Sequence, residues 1–200
     1  MWDERYSAAD YVYGREPNDF LREAADRIAR GSRVLSLGEG EGRNAVFLAG
    51  RGCDVTAVDG SRVGLRKARA LARERGLAIT TAWTDLADYS IRAGSWDAIV
   101  SIFCHLPPDL RARVHGQVVR GLRPGGVFIL EAYTPRQLEY RTGGPSVREM
   151  LLDLETAKRE LDGLRFERAR EIVRPVREGT FHTGDAAVLQ VLAVKPEAAA

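Results

Sequence analysis

The sequence predicts an α/β fold, a doubly wound sheet of seven strands with helices on both faces and a final antiparallel hairpin. Three observations carry this. Apolar, strand-like runs alternate with helix-spaced segments from about residue 33 to residue 133. The first run, Val34-Leu35-Ser36-Leu37, passes without a linker into Gly38-Glu39-Gly40-Glu41-Gly42 and then into the helix-spaced Asn44 to Ala49. Near the end, strand-like Arg165 to Arg174 and Asp185 to Val194 meet through the connection Gly179 to Gly184. That link is too short for a parallel crossover, so the two strands must run antiparallel.

The elements follow in order. An aromatic arm, residues 1–16, holds Trp2, Tyr6, Tyr11 and Tyr13 and is expected to pack across the domain or close over a ligand as a lid. Pro17-Asn18-Asp19 opens a helix through Phe20, Leu21 and Ile28 that stops at Gly31. Strand one, about Arg33 to Leu37, and its helix to Gly50 lead to strand two, Asp54 to Asp59, and a basic amphipathic helix from Ser61 to Gly76. Strand three is Ala78 to Trp83 and strand four is Trp96 to Phe103, followed by a helix from Asp109 to Leu122. Leu122-Arg123-Pro124-Gly125-Gly126 turns into strand five, Val127 to Tyr133. Pro135, Gly143, Gly144 and Pro145 then break regular structure in an acceptor-side loop, residues 134–146, before a helix from about Val147 to Leu161.

Length and composition fit one domain with a sizeable core, since 200 residues carry 44% hydrophobic and 29% charged side chains. A net charge of +2 is too mild, and the basic residues too scattered, for a nucleic-acid footprint. No apolar stretch is long enough to span a bilayer and the N-terminus lacks a secretory pattern, so a cytoplasmic protein without a membrane partner is expected. Cys53 and Cys104 show no metal-ligand spacing and give little reason for a disulfide; Cys53 reads as small core filler. The expected assembly is a monomer or a homodimer.

Two cofactors compete for the glycine turn. Gly40-Glu41-Gly42-Arg43-Asn44-Ala45 satisfies the G-x-G-x-x-A dinucleotide fingerprint, with Asp59 about 20 residues downstream as that fingerprint asks. Asp59 ends the strand beside the turn, where an ionised carboxylate accepts hydrogen bonds from both hydroxyls of a ribose. Asp85, just past strand three, can reach an adenine amino group. The rest of the chain separates the candidates. Strand-and-helix order, the glycine motif, Asp59, Asp85, the Leu-Arg-Pro-Gly-Gly turn and the closing hairpin together resemble the class I S-adenosylmethionine-dependent methyltransferases, from Asn18 to Lys195. A nicotinamide domain needs neither that turn nor the hairpin.

The resemblance implies a Rossmann-like sheet, S-adenosylmethionine as cofactor and a small-molecule acceptor. It puts Gly38 and Gly40 against the cofactor and Glu39 or Arg43 near its methionine end, with further contacts from Asn44, Gly60, Ser61, Thr84, Leu86 and Ser101. Ser36 stands where the family commonly carries an acid, with acids placed instead at Glu39 and Glu41. Small size, the aromatic arm and Gly42-Arg43-Asn44 are similar to the tellurite-resistance and thiopurine-type thiol methyltransferases, which implies a thiol or chalcogen acceptor. Methyl transfer by in-line displacement needs alignment more than acid or base groups, and neither a carboxylate pair nor a nucleophilic triad stands out. His105, following strand four, is the candidate for direct participation. Candidates for the acceptor wall are Tyr6, Tyr11, Tyr13, Tyr133, Arg136, Tyr140, Arg141 and His182. The alternatives are a cofactor-binding module without turnover and a nicotinamide-dependent oxidoreductase.

Overall fold

The computed structural model describes residues 2–179 and 182–197, with the His182 side chain outside the described set. Its strands are β1 (Arg33–Leu37), β2 (Asp54–Asp59), β3 (Thr80–Trp83), β4 (Trp96–Ile102), β5 (Leu122–Tyr133), β6 (Arg165–Glu178) and β7 (His182–Val194). They form one seven-stranded sheet in the order β3-β2-β1-β4-β5-β7-β6. The first five strands pair in parallel, and β7 inserts antiparallel between β5 and β6. The expected fold class and the reversed closing strand are both present, and the reversal disagrees with the nicotinamide reading. The hairpin is longer than its apolar runs indicate, because the pairing continues past Arg174 to Glu178↔His182. At the other end, the Pro-Gly-Gly turn is tied to the hairpin: Gly125 N donates to Lys195 O at 2.9 Å and Lys195 N to Gly126 O at 2.8 Å.

The helices are α1 (Trp2–Arg5), α2 (Asp19–Ala24), α3 (Arg43–Gly50), α4 (Arg62–Glu74), α5 (Pro108–Gly121) and α6 (Leu154–Glu160). Side-chain caps set three of their starts. Asn18, Ser61 and Asp153 each accept a first-turn backbone N–H, satisfying a donor the helix cannot pair internally. Pro108 opens α5, where a missing N–H costs nothing.

Strand alternation sends side chains to two cores. Val34, Ala98, Val100, Val127 and Ile129 face α2 and α3, while Leu35, Ile99, Phe128 and Leu130 face α5 and α6. Each fully buried leucine or phenylalanine contributes about 1.5–3 kcal/mol. Cys53 lies in the first core as expected, and both cysteines are free thiols.

Several boundaries differ from the sequence reading, among them the start of β5, at Leu122 rather than Val127. The helix expected from Val147 to Leu161 is a 3-10 turn (Arg148–Met150), an extended pair Leu151-Leu152, and then α6. Leu151 and Leu152 bury in separate clusters, and Leu152 N donates to Tyr133 O at 2.9 Å. Neighbouring residues reach opposite sides in extended chain, not in a helix. Helix α2, expected to run to Gly31, stops at Ala24 and continues only as a 3-10 turn (Ala25–Arg27), and β3 begins at Thr80 rather than Ala78.

A buried polar network joins the N-terminal segment to the hairpin. Glu131, fully buried on β5, accepts from Arg174 Nε (2.9 Å) and Nη2 (2.6 Å), Gln190 Nε2 (2.8 Å) and Asn18 Nδ2 (2.5 Å). Asn18 also donates to Glu178, which pairs with Arg43 of α3 at 2.5 Å. Breaking such a pair leaves an uncompensated charge, at a cost of about 3–5 kcal/mol. Glu131→Ala is therefore expected to lower unfolding free energy by about that amount in urea titration. A loss under about 1 kcal/mol would show that the network is not holding the hairpin to the sheet.

Candidate functional site

The order in which strands are added reverses between the parallel neighbours β1 and β4, and the crevice lies at the carboxyl ends of these strands and β2, where open α/β sheets bind ligands. Its volume is about 650 Å³, within the range of small-molecule sites. The β1–β2 register sets Leu37 opposite Val58, so the glycine loop emerges beside Asp59.

Asp59 organises that corner. One carboxylate oxygen accepts from Gly40 N at 2.8 Å and the other from Ser61 N at 2.7 Å, each retaining capacity for a further donor. Burial pushes its pKa up, against the opposing pull of those two N–H groups. Gly38 and Gly40 are required by protein neighbours as much as by any ligand. Both have positive φ; a Cβ on Gly38 would stand 2.6 Å from Cys104 Sγ, and one on Gly40 2.7 Å from the Tyr6 hydroxyl.

Glu39 and Arg43, expected near a methionine tail, are engaged with protein. Glu39 lines the crevice but folds back onto α3, its Oε1 accepting from Asn44 N (3.1 Å) and Ala45 N (2.9 Å). Its other oxygen accepts a short hydrogen bond from the Ser36 hydroxyl. Burial pushes the Glu39 carboxyl up to about 7, opposed by those N–H groups, Ser36 and the Arg43 charge. Ser36 and Glu39 are thus joined at the end of β1. Arg43 lines the crevice while paired to Glu178.

Among the other expected cofactor residues, Asn44, Gly60, Asp85 and Leu86 line the crevice, and Ser61, Thr84 and Ser101 do not. Ser61 caps α4 and donates to Asp3 at 2.5 Å, Thr84 donates to Asp85 O at 3.3 Å, and Ser101 hydrogen-bonds the Cys104 thiol. Burial and the Asp59 charge push that thiol up to about 12, so it stays protonated and unreactive.

At the far end, β4 ends in a left-handed Phe103 (φ 51°), an uncommon conformation outside glycine that turns Cys104 and His105 over the crevice. The His105 ring stacks on Tyr133 (5.4 Å, 13°), which stacks in turn on Phe103 (4.5 Å, 27°). Tyr133 itself is fully buried behind them. Gly143 to Val147 and Met150 close this side. From the arm, Tyr6 and Tyr13 line the crevice with Trp2 and Arg5, Trp2 stacking on Tyr6 at 5.8 Å.

The remaining acceptor-wall candidates stand elsewhere. Tyr11 donates to Lys67 O at 3.1 Å; Arg136 lies over the Tyr140 ring and pairs with Glu139 at 3.6 Å; Arg141 occupies a left-handed turn. None of these four, nor Tyr133, lines the crevice, and the His182 side chain lies outside the described residues. Sequence reasoning missed Glu41. Its Oε2 accepts from Val12 N (2.8 Å) and Tyr13 N (3.3 Å), and Lys67 Nζ approaches its Oε1 at 2.7 Å, clamping the arm against the glycine loop.

Sheet order, reversed β7, glycine loop and Asp59 together define the class I methyltransferase architecture. Residues 34–126, just under half of the chain, match the methyltransferase domain family, and the fold is that of the class I S-adenosylmethionine-dependent methyltransferases. It is similar to a 2-heptyl-1-hydroxyquinolin-4(1H)-one methyltransferase of Mycobacteroides abscessus, 28% identical over 115 residues, 56% of this chain and 51% of the relative. The chain thus spans about half the length of that relative. A structure described under conversion of a disulfide bond into a thioacetal group during echinomycin biosynthesis superposes with TM-score 0.77 at 19% identity, covering 99% of this chain and 89% of that one. TehB from Haemophilus influenzae gives 0.73 at 20% identity, over 97% and 65% of the respective chains.

The cofactor this family implies fits the residues present: a buried carboxylate with acceptor capacity left for a ribose, a glycine loop at the crevice wall, and a volume of about 650 Å³. Glu39 supplies a pH test. Its folded pKa of about 7 lies above the ordinary 4.5, so ionisation opposes folding. The penalty is absent below the ordinary value, grows as pH rises toward about 7 and then levels off, reaching on the order of 3 kcal/mol. Relative to Glu39→Gln, the wild type should lose stability across this window when urea titrations are repeated at several pH values. A constant difference between the two proteins would show that Glu39 is not held above its ordinary pKa.

Proposed function

We propose that the protein binds S-adenosylmethionine and transfers its methyl group to a small-molecule acceptor carrying a soft nucleophile, a thiol or chalcogen species. The observation that carries the cofactor reading is Asp59, whose buried carboxylate faces the crevice between the glycine loop and the start of α4. When bound, S-adenosylmethionine supplies a methyl group already made electrophilic by its positive sulfur. The chain's part is then to grip, align and exclude water. Asp59 accepts from the ribose hydroxyls and Asp85 lies on the adenine side. Tyr6, Tyr13 and the segment Gly143 to Val147 close the crevice as a lid and an acceptor-side loop.

A soft acceptor suits this lining because a thiol is partly ionised near neutral pH and needs little base assistance. His105 is the group positioned to take a proton where the acceptor retains one. The sulfur chemistry named for the echinomycin structure supports this reading. A second reading has its own observation: the lining is rich in aromatic rings, with Phe103 and His105 facing Trp2, Tyr6 and Tyr13, and the quinolone methyltransferase relative acts on a flat hydroxylated heterocycle.

Asp59→Ala is expected to weaken S-adenosylhomocysteine binding at least about 10-fold in calorimetry, the loss of charge-assisted hydrogen bonds, while the melting temperature reports on the fold. Unchanged affinity would remove Asp59 from the site. Incubation with methyl-labelled cofactor and a panel of thiols, sulfide, selenite, tellurite, phenols, amines and a hydroxyquinolone should label the thiols or chalcogen species. Label in the hydroxyquinolone alone would establish the second reading; tight cofactor binding with label nowhere would point to a module without turnover.

A further inference from the structure

We propose that Glu39 decides which adenosine compounds the crevice accepts: folded back onto the start of α3, its side chain takes the place a phosphate group would need, so the crevice admits adenosine with an amino-acid tail and refuses adenosine phosphates and dinucleotides. The inference rests on the cofactor reading above and deepens it.

Two independent observations support it. The first is occupancy. A glycine turn leading from a strand into a helix is the arrangement that binds pyrophosphate, through the unpaired N–H groups of the helix's first turn. In this chain two of those groups, Asn44 N and Ala45 N, already donate to Glu39 Oε1. The side chain is pinned from the other side by the Ser36 hydroxyl on β1. Gly42, at the helix's cap position, offers no side chain to do this work, so the acid three residues upstream does it instead.

The second is the sign of the lining. Four acids, Glu39, Glu41, Asp59 and Asp85, face the crevice against two basic residues, Arg5 and Arg43. Arg43 is committed to Glu178 at 2.5 Å, and Arg5 donates to the Tyr13 hydroxyl at 2.9 Å. Glu41 is paired with Lys67, so a phosphate would meet Glu39, Asp59 and Asp85 against Arg5 alone, whereas the sulfonium and the ammonium of a zwitterionic methionine tail meet complementary charge on these acids. The glycine motif taken alone is ambiguous between the two cofactors, and Glu39 removes the ambiguity.

Calorimetry on the full chain tests this with S-adenosylhomocysteine, AMP and NADH as ligands. The wild type should bind S-adenosylhomocysteine and give no heat with AMP or NADH at millimolar concentration. Glu39→Ala should gain AMP affinity by at least about 10-fold, because the helix amides are freed and a negative charge is removed. If that variant fails to fold, Glu39→Ser carries the test with the same expectation, its hydroxyl being able to replace one cap bond. A folded variant that refuses AMP as firmly as the wild type overturns the inference and leaves the cofactor reading standing. A wild type that binds AMP as tightly as S-adenosylhomocysteine also overturns it. A wild type that binds no S-adenosylhomocysteine brings down the cofactor reading and this inference together.

Discussion

The crevice is shaped by one buried carboxylate shared between two loops. Asp59 holds Gly40 N from the loop after β1 and Ser61 N from the loop after β2, so it sets the gap between them. Those bonds have a second consequence. Burial alone would favour the neutral acid, and the two backbone donors work against that, helping to keep the group in the form a ribose needs. A side chain that only closed a turn would have little reason to sit buried with both oxygens at a cavity wall. The same residue therefore serves the backbone and stays available to a ligand.

What stands behind the glycine loop is less local. Arg43 opens α3, pairs with Glu178 at the end of β6, and is joined through Asn18 to Glu131 and Arg174. The last strands of the chain thus brace the first helix after β1. A buried ionic network is weak evidence of added stability, since desolvation offsets much of the attraction. Its stronger effect is on register, because Glu131 lies opposite Gln190 in the β5–β7 pairing and hydrogen-bonds to it, which a slipped hairpin could not reproduce.

Much of this was legible in the sequence, and the reasons are physical. Strand runs such as Val34 to Leu37 and Ile99 to Ile102 are buried on both faces, which leaves near-continuous apolar stretches, and the short link before β7 forces reversal. Asp59 was legible because its position at a strand end beside a glycine turn has few other uses. The division of residues 147–161 was not, because Leu151 and Leu152 fit helical spacing and only tertiary burial in two clusters overrides it. Tyr133 reads as a wall residue by its place at the end of β5, but its ring lies beneath His105, and nothing local encodes which side of the stack faces the crevice. Glu39 belongs to the same class of miss. Its cap reaches forward from outside the usual cap position, so no standard capping pattern marks it.

The arm and the turn at Phe103 show how the two ends of the crevice are held by different means. Glu41 and Lys67 fix the arm by backbone contacts to Asp10, Val12 and Tyr13, none of which depends on the identity of the arm's side chains. Side chains of the arm add to this, Asp3 accepting from Ser61 Oγ and Val63 N and Tyr6 packing, buried, against Gly40. Across the crevice, Phe103 adopts a left-handed conformation that costs energy in a non-glycine residue, yet its N–H is held by Glu131 O at 2.7 Å and its ring by Tyr133. A relaxed backbone there would carry His105 away from the wall. The strained turn stands where alignment of the reacting groups matters, and the arm closes the opposite side through backbone and side-chain contacts together.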